Sequence, residues 1–434
     1  MIAFIFWLLI FSLPLSFEYK INGSLGLDLP DEPLMLITSY LFLAYCIYKP
    51  SSLPRSKWGH PLILFIFISL VWTLLTACFA GNSFIAMKFF LAKTWYAGAF
   101  LLAPLILYNS KKAILNTSVI ITGSMLVVVI ITLFRQQQHG FQFAFINDAL
   151  HPFFRNHVNY SAMLVCMIPI GIALYRYFQN RSFKYFILIS IIVSLIALGF
   201  SYSRGAWLAL ITGAVAWWLL KKRLLFAAYI IFIAISIGGL FWLKNNDRYL
   251  HYAHDYKTTI FHKDFGEHLV STYKLKDVST AERFYRWIAG VRMIKDNLIT
   301  GYGPNNFYAH YKGYAVPAFK TWVSDNKEHS TVHNYFLLVT IEQGLPALIF
   351  LIILFGAMLY YAQLLYHRIE DPFYKNCALI TGIIVTMILT VNFLSDLIET
   401  DKIGSLFFLS IAVLVGVDHK FSTQRAQGNR VAQR

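Results

Sequence analysis

Charge is what this sequence has least of. Of 434 residues, 13% are Asp, Glu, Lys or Arg, whereas a soluble domain of this size carries roughly 25%. So few charges cannot cover a water-facing surface, and an ordinary soluble fold is excluded. Cysteine is also scarce. Cys46, Cys78, Cys166 and Cys377 each lie in or beside an apolar run and none has a CxxC partner. This argues against a disulfide framework or a zinc site and leaves small core residues as the reading. The N-terminal run MIAFIFWLLIFSLPLSF lacks a basic leader, so it reads as a retained first span rather than a cleaved signal peptide. No GxxxxGK[ST], GxGxxG or HExxH occurs, which removes the phosphate-loop, dinucleotide and zinc-protease readings. The DLPDE spacing at 28–32 is weak evidence for a metal site, and no metal or cofactor is expected.

What the chain has is apolar length. Hydrophobic residues make up 58% and mean hydropathy is +0.57. A spanning helix needs about 20 mostly apolar residues. Such runs occur near 2–17, 34–48, 61–79, 85–108, 113–134, 157–178, 184–203, 205–220, 224–243, 333–361, 376–395 and 403–417. The pattern predicts an all-α polytopic membrane protein of about 12 transmembrane helices. The excess of 37 Lys and Arg over 21 Asp and Glu does not point to nucleic acid, because the basic residues sit in short clusters between spans.

Those clusters orient the spans. With the N-terminus inside, the cytoplasmic segments hold 17 Lys and Arg and the short outside segments hold 5. Twelve spans satisfy the positive-inside rule at every step. Residues 1–243 then form spans one to nine, 244–332 a large loop on the non-cytoplasmic side, 333–418 spans ten to twelve, and 419–434 a cytoplasmic tail. Loops as long as 244–332 are usually functional. The polar last dozen residues read as disordered.

Arg204, in SYSRGAW, opens a run of only sixteen apolar residues, about 24 Å of helix. It belongs at or just below the outer interface. On topology alone a snorkelling anchor and a paired, buried arginine are balanced. The neighbours Ser201, Ser203 and Gly205 favour a polar pocket. In the loop, STAERFYRWIAGVRMIKDNL (279–298) starts with a capping-box pattern, Ser279 with Glu282. Phe284, Trp287, Ile288, Val291 and Ile294 form one apolar stripe at helical spacing, with Arg283 and Arg286 along one edge. The pattern alone favours a plain amphipathic helix with solvated arginines. The helix runs into GYGPNNF (301–307), a turn signal.

EHSTVHNY (328–335) opens the tenth span. His329 and His333 share a face, without a third ligand to complete a metal site. A neutral histidine near a helix N-terminus, where the macrodipole disfavours imidazolium, is suited to accept a proton. A capping or interfacial role is the alternative. Glu342 lies about 180° round that helix from His333 and reads as structural, bonding a neighbouring span. Arg155 in FRNHVNYS, and Lys88 and Lys93 in FIAMKFFLAK, are secondary candidates for an anion, or interfacial anchors.

Taken together, SRGAW, the arginine four residues before Trp287, GYGPNNF, HNYFLL and EQGLP resemble the O-antigen ligase family, which also contains O-antigen polymerases and protein O-oligosaccharyltransferases. The resemblance covers roughly the last two-thirds of the chain and is strongest from Arg283 to Gly344. It implies a membrane-embedded glycosyltransferase in the bacterial inner membrane, acting on the periplasmic face. The lack of a D-x-D or three-ligand cluster predicts that it needs no metal, and one base opposite the leaving group predicts inversion. The implied donor is an undecaprenyl-pyrophosphate-linked glycan and the implied acceptor a sugar hydroxyl of lipid A-core. Carried over by position, His333 is the implied catalytic base. Arg204 and Arg283 are implied pyrophosphate ligands, and Arg286 joins them on its geometry. His329, Asn334, Arg155 and Lys88 are secondary. The alternatives are a polymerase, a protein O-oligosaccharyltransferase and, in another class, a transporter of lipid-linked glycans.

Overall fold

The computed structural model describes residues 1–22, 25–52, 55–245, 278–315 and 331–432. Thirteen helices longer than ten residues account for most of them. These are α1 (Ile2–Ser12), α2 (Asp31–Tyr48), α3 (Pro61–Cys78), α4 (Ser83–Leu107), α5 (Lys111–Gln137), α6 (His157–Tyr177), α7 (Arg181–Phe200), α8 (Arg204–Lys221), α9 (Leu225–Lys244), α10 (Val278–Asp296), α11 (Tyr335–Arg368), α12 (Pro372–Phe393) and α13 (Asp401–Ala432). Each of the twelve apolar runs holds one helix, and α10 is the helix expected within the large loop. Among the described residues, nine helices are long and apolar enough to cross a membrane. The other three in apolar runs are α1, with 11 residues, and α2 and α8, with 18 each. The protein is an all-α polytopic membrane protein.

Polar caps delimit the apolar runs. Asn82, Ser110, Asn156, Asn180, Asn334 and Asp371 each accept a backbone N–H from the first turn of the helix that follows. Such caps satisfy amides that the helix itself leaves unpaired. Burial then sorts the helices into an inside and a lipid-facing rim. The most apolar windows of α6, α12 and α13 are 72%, 67% and 83% buried, against 22% for α7 and 11% for α9. All four cysteines are free thiols.

One expectation, a disordered C-terminal stretch, needs correction, and the segment after α1 has a structure of its own. Phe17–Asn22 and Leu25–Leu29 pair as an antiparallel hairpin, with Glu18 opposite Asp28. Arg155 reaches both acids, at 3.5 and 3.3 Å. The polar C-terminal stretch is helical as far as Ala432. Helix propagation costs far less than nucleation, so the buried part of α13 carries its polar extension along.

Candidate active site

The site begins with α10. Its apolar stripe packs on the start of α11 beside the short helix Phe307–Tyr311. Ala289, Met293, Phe307, Val332, Leu338 and Ile341 form a satellite core there. Ala289 and Gly290 let the two helices approach closely, since a Cβ on Gly290 would meet Ile341 at 2.7 Å. This close approach rotates α10 from the expected setting. Val291, placed on the buried stripe, is 44% exposed, while Arg286 is 7% exposed instead of lying along a wet edge.

Arg286 is buried because the chain offers it partners. Its Nη1 donates to the Thr331 carbonyl at 2.8 Å, Glu282 lies 3.6 Å away one turn back, and the guanidinium stands 5.9 Å from the Tyr311 ring centre. Trp287 Nε1 donates to the Val332 carbonyl at 3.1 Å. Arginine and tryptophan thus grip the two residues just before His333. The amphipathic helix with solvated arginines, favoured by pattern alone, is not what forms.

His333 sits at the junction with φ +54°, a left-handed conformation uncommon for a non-glycine residue. Its amide donates to the Thr331 hydroxyl at 3.4 Å. Asn334 caps α11, accepting from Leu337 N–H at 3.0 Å, and its amide group donates to the Phe393 carbonyl at 3.0 Å. Tyr335 N–H donates to the Ser395 carbonyl at 2.9 Å. The start of α11 is therefore tied to the end of α12. Burial, then Arg283, then Arg286, hold the His333 imidazole well below its ordinary value, at about 3. At neutral pH it is uncharged.

Sequence reasoning missed Asp396. It sits in the link after α12, bonded to the Thr331 side chain and within the field of Arg283. Burial first, together with Glu399, raises its carboxyl to about 6 against the pull of Thr331 and Arg283. The available signal was three acids, Asp396, Glu399 and Asp401, within six residues of one short link. Glu399 is in turn 3.0 Å from Lys93 Nζ, which also donates to the Tyr335 hydroxyl at 3.2 Å.

Arg204 opens α8 and is half-buried between the buried Ser203 and Ala206. A Cβ on Gly205 would stand 3.7 Å from Leu394, next to the Phe393 carbonyl that Asn334 holds. The first turn of α8, the end of α12 and the start of α11 thus meet in one layer. Arg283, Arg286 and His333 share an electrostatic neighbourhood, and Arg204 stands on the adjoining junction. The secondary candidates are elsewhere. Arg155 is paired with the hairpin acids, and Lys88 is exposed within the field of Glu32. His329 lies outside the described residues.

Glu342 has a definite structural task, and its partner is the turn rather than a neighbouring span. Its carboxylate accepts from the amides of Asn305 and Phe307, at 2.8 and 3.2 Å. Its carbonyl accepts from Gly303 at 2.8 Å, and the Ile341 carbonyl from Tyr302 at 3.0 Å. These carbonyls are free because α11 breaks at Gly344, whose φ is +78°. A Cβ at Gly344 would collide with the Ile299 carbonyl. GYGPNNF and EQGLP are therefore two halves of one joint.

Residues 189–352 match the family model described as O-antigen ligase. A curated O-antigen ligase from Salmonella typhimurium strain LT2 is 28% identical over 218 residues. The match covers 49% of each chain, so this chain spans about half the length of the curated relative it matches. The family match takes in Arg204, Arg283, Arg286, His333 and the joint at Glu342. Over residues 189–352, the resemblance to the O-antigen ligase family expected from the motifs holds.

Proposed function

We propose that this protein is a glycosyltransferase of the O-antigen ligase type. It moves a glycan from undecaprenyl pyrophosphate to a sugar hydroxyl of lipid A-core at the periplasmic face of the inner membrane, with both termini cytoplasmic. The observation that carries this reading is the docking of the arginine-bearing helix α10 on the residues before His333, where Arg286 and Trp287 bond to the Thr331 and Val332 carbonyls at one end of the helix bundle. That end is the outer one in the orientation set by the positive-inside count.

The chemistry follows from the charges. The leaving group is a lipid pyrophosphate, anionic throughout the reaction. Arg283, Arg286 and Arg204 bind its oxygens, the guanidinium fork suiting bidentate contact. His333 takes the proton of the acceptor hydroxyl as that oxygen attacks the anomeric carbon. The bond from that carbon to the phosphate oxygen breaks, and its electron pair stays on the pyrophosphate, where preorganised cations stabilise it. One base opposite one leaving group makes this a single displacement with inversion. Asn334 and Thr331 position His333, and Asp396 steadies Arg283.

The test is reconstitution of the full chain with a lipid-linked glycan, offered in turn lipid A-core, a second lipid-linked repeat and a peptide. Transfer to lipid A-core supports the ligase. Transfer only to the second repeat makes it a polymerase, and transfer only to peptide a protein O-oligosaccharyltransferase. Translocation of the donor without bond formation refutes the enzyme reading.

A further inference from the structure

Four helices part around a cavity at the end of the bundle opposite His333. Its volume is about 440 Å³, within the range of small-molecule sites. Its walls come from α5, α6, α12 and α13. On α5 the lining includes Ile114, Ser118 and Ile121, and on α12 it includes Cys377, Thr381 and Ile384. Spacings of three, four and seven residues place each set on one helix face. The cavity therefore runs along the helices. Lys111 and Phe373 stand at one end of it, Ile121 and Ile384 at the other. From Lys111 to Ile121 is about 15 Å of helix. This is an elongated slot that runs with the helices, as an acyl chain runs in a bilayer.

Thr381 and Tyr108 apart, the walls below the mouth are mostly apolar. The hydroxyls of Thr117, Ser118 and Ser410 turn back onto carbonyls of their own helices, at 3.0, 2.9 and 2.7 Å. Apolar cavities of this kind take up apolar guests rather than water. The mouth differs. Arg176 is exposed there with Gln179, and Lys111 lies 2.7 Å from Asp371. Two cations against one carboxylate leave a net positive rim, at the level where α5 and α12 begin and α6 ends.

We propose that this slot binds one acyl chain of an anionic membrane phospholipid, with the phosphate at Arg176 and Lys111. The bound lipid braces α5 and α6 against α12, whose far end carries the junction at Phe393. The site is separate from the glycan-transfer reading and stands or falls without it.

The test uses the full chain in neutral detergent. Phosphatidylglycerol should raise the thermal unfolding midpoint and survive as one retained lipid in native mass spectrometry, with phosphatidylcholine weaker. Arg176→Gln should weaken phosphatidylglycerol about fivefold, the worth of one interfacial cation, and leave phosphatidylcholine unchanged. Ala173→Phe, which fills the slot, should abolish retention. On the unmodified protein, an acyl chain bearing a diazirine should label peptides containing Ile121 or Ile384. Equal stabilisation by both phospholipids, or labelling confined to outward faces of the helices, overturns the proposal. So does tighter retention of undecaprenyl phosphate, which would give the slot to the carrier lipid.

Discussion

The charge state of His333 gives the sharpest test of the active-site reading. Burial and then the charges of Arg283 and Arg286 hold the imidazole down to about 3. The sign is fixed. A base works when unprotonated, so activity rises with pH through its pKa, and a lowered pKa moves that rise to lower pH. Because kcat/KM reports the free enzyme, it should be flat with respect to His333 above about pH 4. A bound pyrophosphate brings two or more negative charges beside the same arginines and cancels much of their effect. One unit charge at about 6 Å, at an effective dielectric of about 20, is worth about 2.8 kcal/mol, or about two pKa units. The acid limb of kcat should therefore lie one to two pH units, roughly, above that of kcat/KM. The burial part of the shift remains in both.

Arg283→Met removes one of the charges. It should raise the His333 pKa in the free enzyme by about one to two units and pull the kcat/KM limb up into the measurable range. The assay is glycan transfer from about pH 4 to 9 at limiting and saturating donor, for the native chain and the variant. Asp396 titrates near 6 and could place its own step in the profile. Asp396→Asn separates the two, because a step that vanishes in that variant belongs to the aspartate. A native kcat/KM limb near pH 6.5 that persists in Asp396→Asn would falsify the neutral, arginine-flanked histidine. An unmoved limb in Arg283→Met would do the same for the arginine contribution.

Other outcomes follow from the same contacts. His333→Ala should lower transfer by about 10²–10⁴-fold with donor binding largely kept, the usual worth of a general base; near-normal turnover would remove His333 from the chemistry. Arg283→Lys should rescue Arg283→Ala poorly, since a lysine gives a point charge in place of a fork, as read by donor binding and kcat together. Glu342→Ala should leave the amides of Asn305 and Phe307 without an acceptor, at about 1–3 kcal/mol for each buried donor left unpaired. Hydrogen exchange at those two amides should speed up while exchange in α12 stays slow. Transfer should persist in EDTA, since no group of three metal-ligating side chains is found among the described residues. Loss of activity with chelator, restored by manganese or magnesium, would reverse that expectation.

Much of this architecture is written in one-dimensional patterns. Apolar runs, polar caps and the alternation of basic clusters are all local, so the spans could be read with few errors. The presence of α10 was legible for the same reason. Its rotation was not. Periodicity treats a helix as facing one flat core, whereas α10 is pulled round by particular partners. Ala289 and Gly290 admit the side chains of α11, and the carbonyls of Thr331 and Val332 draw Arg286 and Trp287 inward. Asp396 escaped notice because its importance is relational. In sequence it is one acid among three, 113 residues from Arg283. Arg155 and Lys88 show the converse. Both look like ready anion ligands until the hairpin acids and Glu32 appear beside them.

The joint between GYGPNNF and EQGLP explains why a site assembled from distant segments can be rigid. Arg283 and Arg286 ride on a loop helix, and loops by themselves are poor at holding chemistry within fractions of an ångström. Here α10 is fixed at both ends of its contact. Arg286 and Trp287 bond to the residues before His333. Past the end of α10, the Leu298 carbonyl accepts from Leu345 N–H at 2.8 Å, across the break at Gly344. Glu342 gathers two amides of the turn between them. A break in a spanning helix exposes carbonyls that the bilayer cannot satisfy, and the loop supplies the missing donors. Each segment thus repairs the other's unpaired groups, so the loop helix cannot slide without reopening the break. Gly344→Ala tests this. A Cβ there meets the Ile299 carbonyl and forces a strained φ, at about 1–3 kcal/mol for the backbone alone. The expected result is a loosened loop: faster hydrogen exchange across 298–307 and weaker donor binding, with α12 and α13 unchanged. Donor binding that stays normal while the loop exchanges freely would mean that the arginines are positioned by something other than this joint.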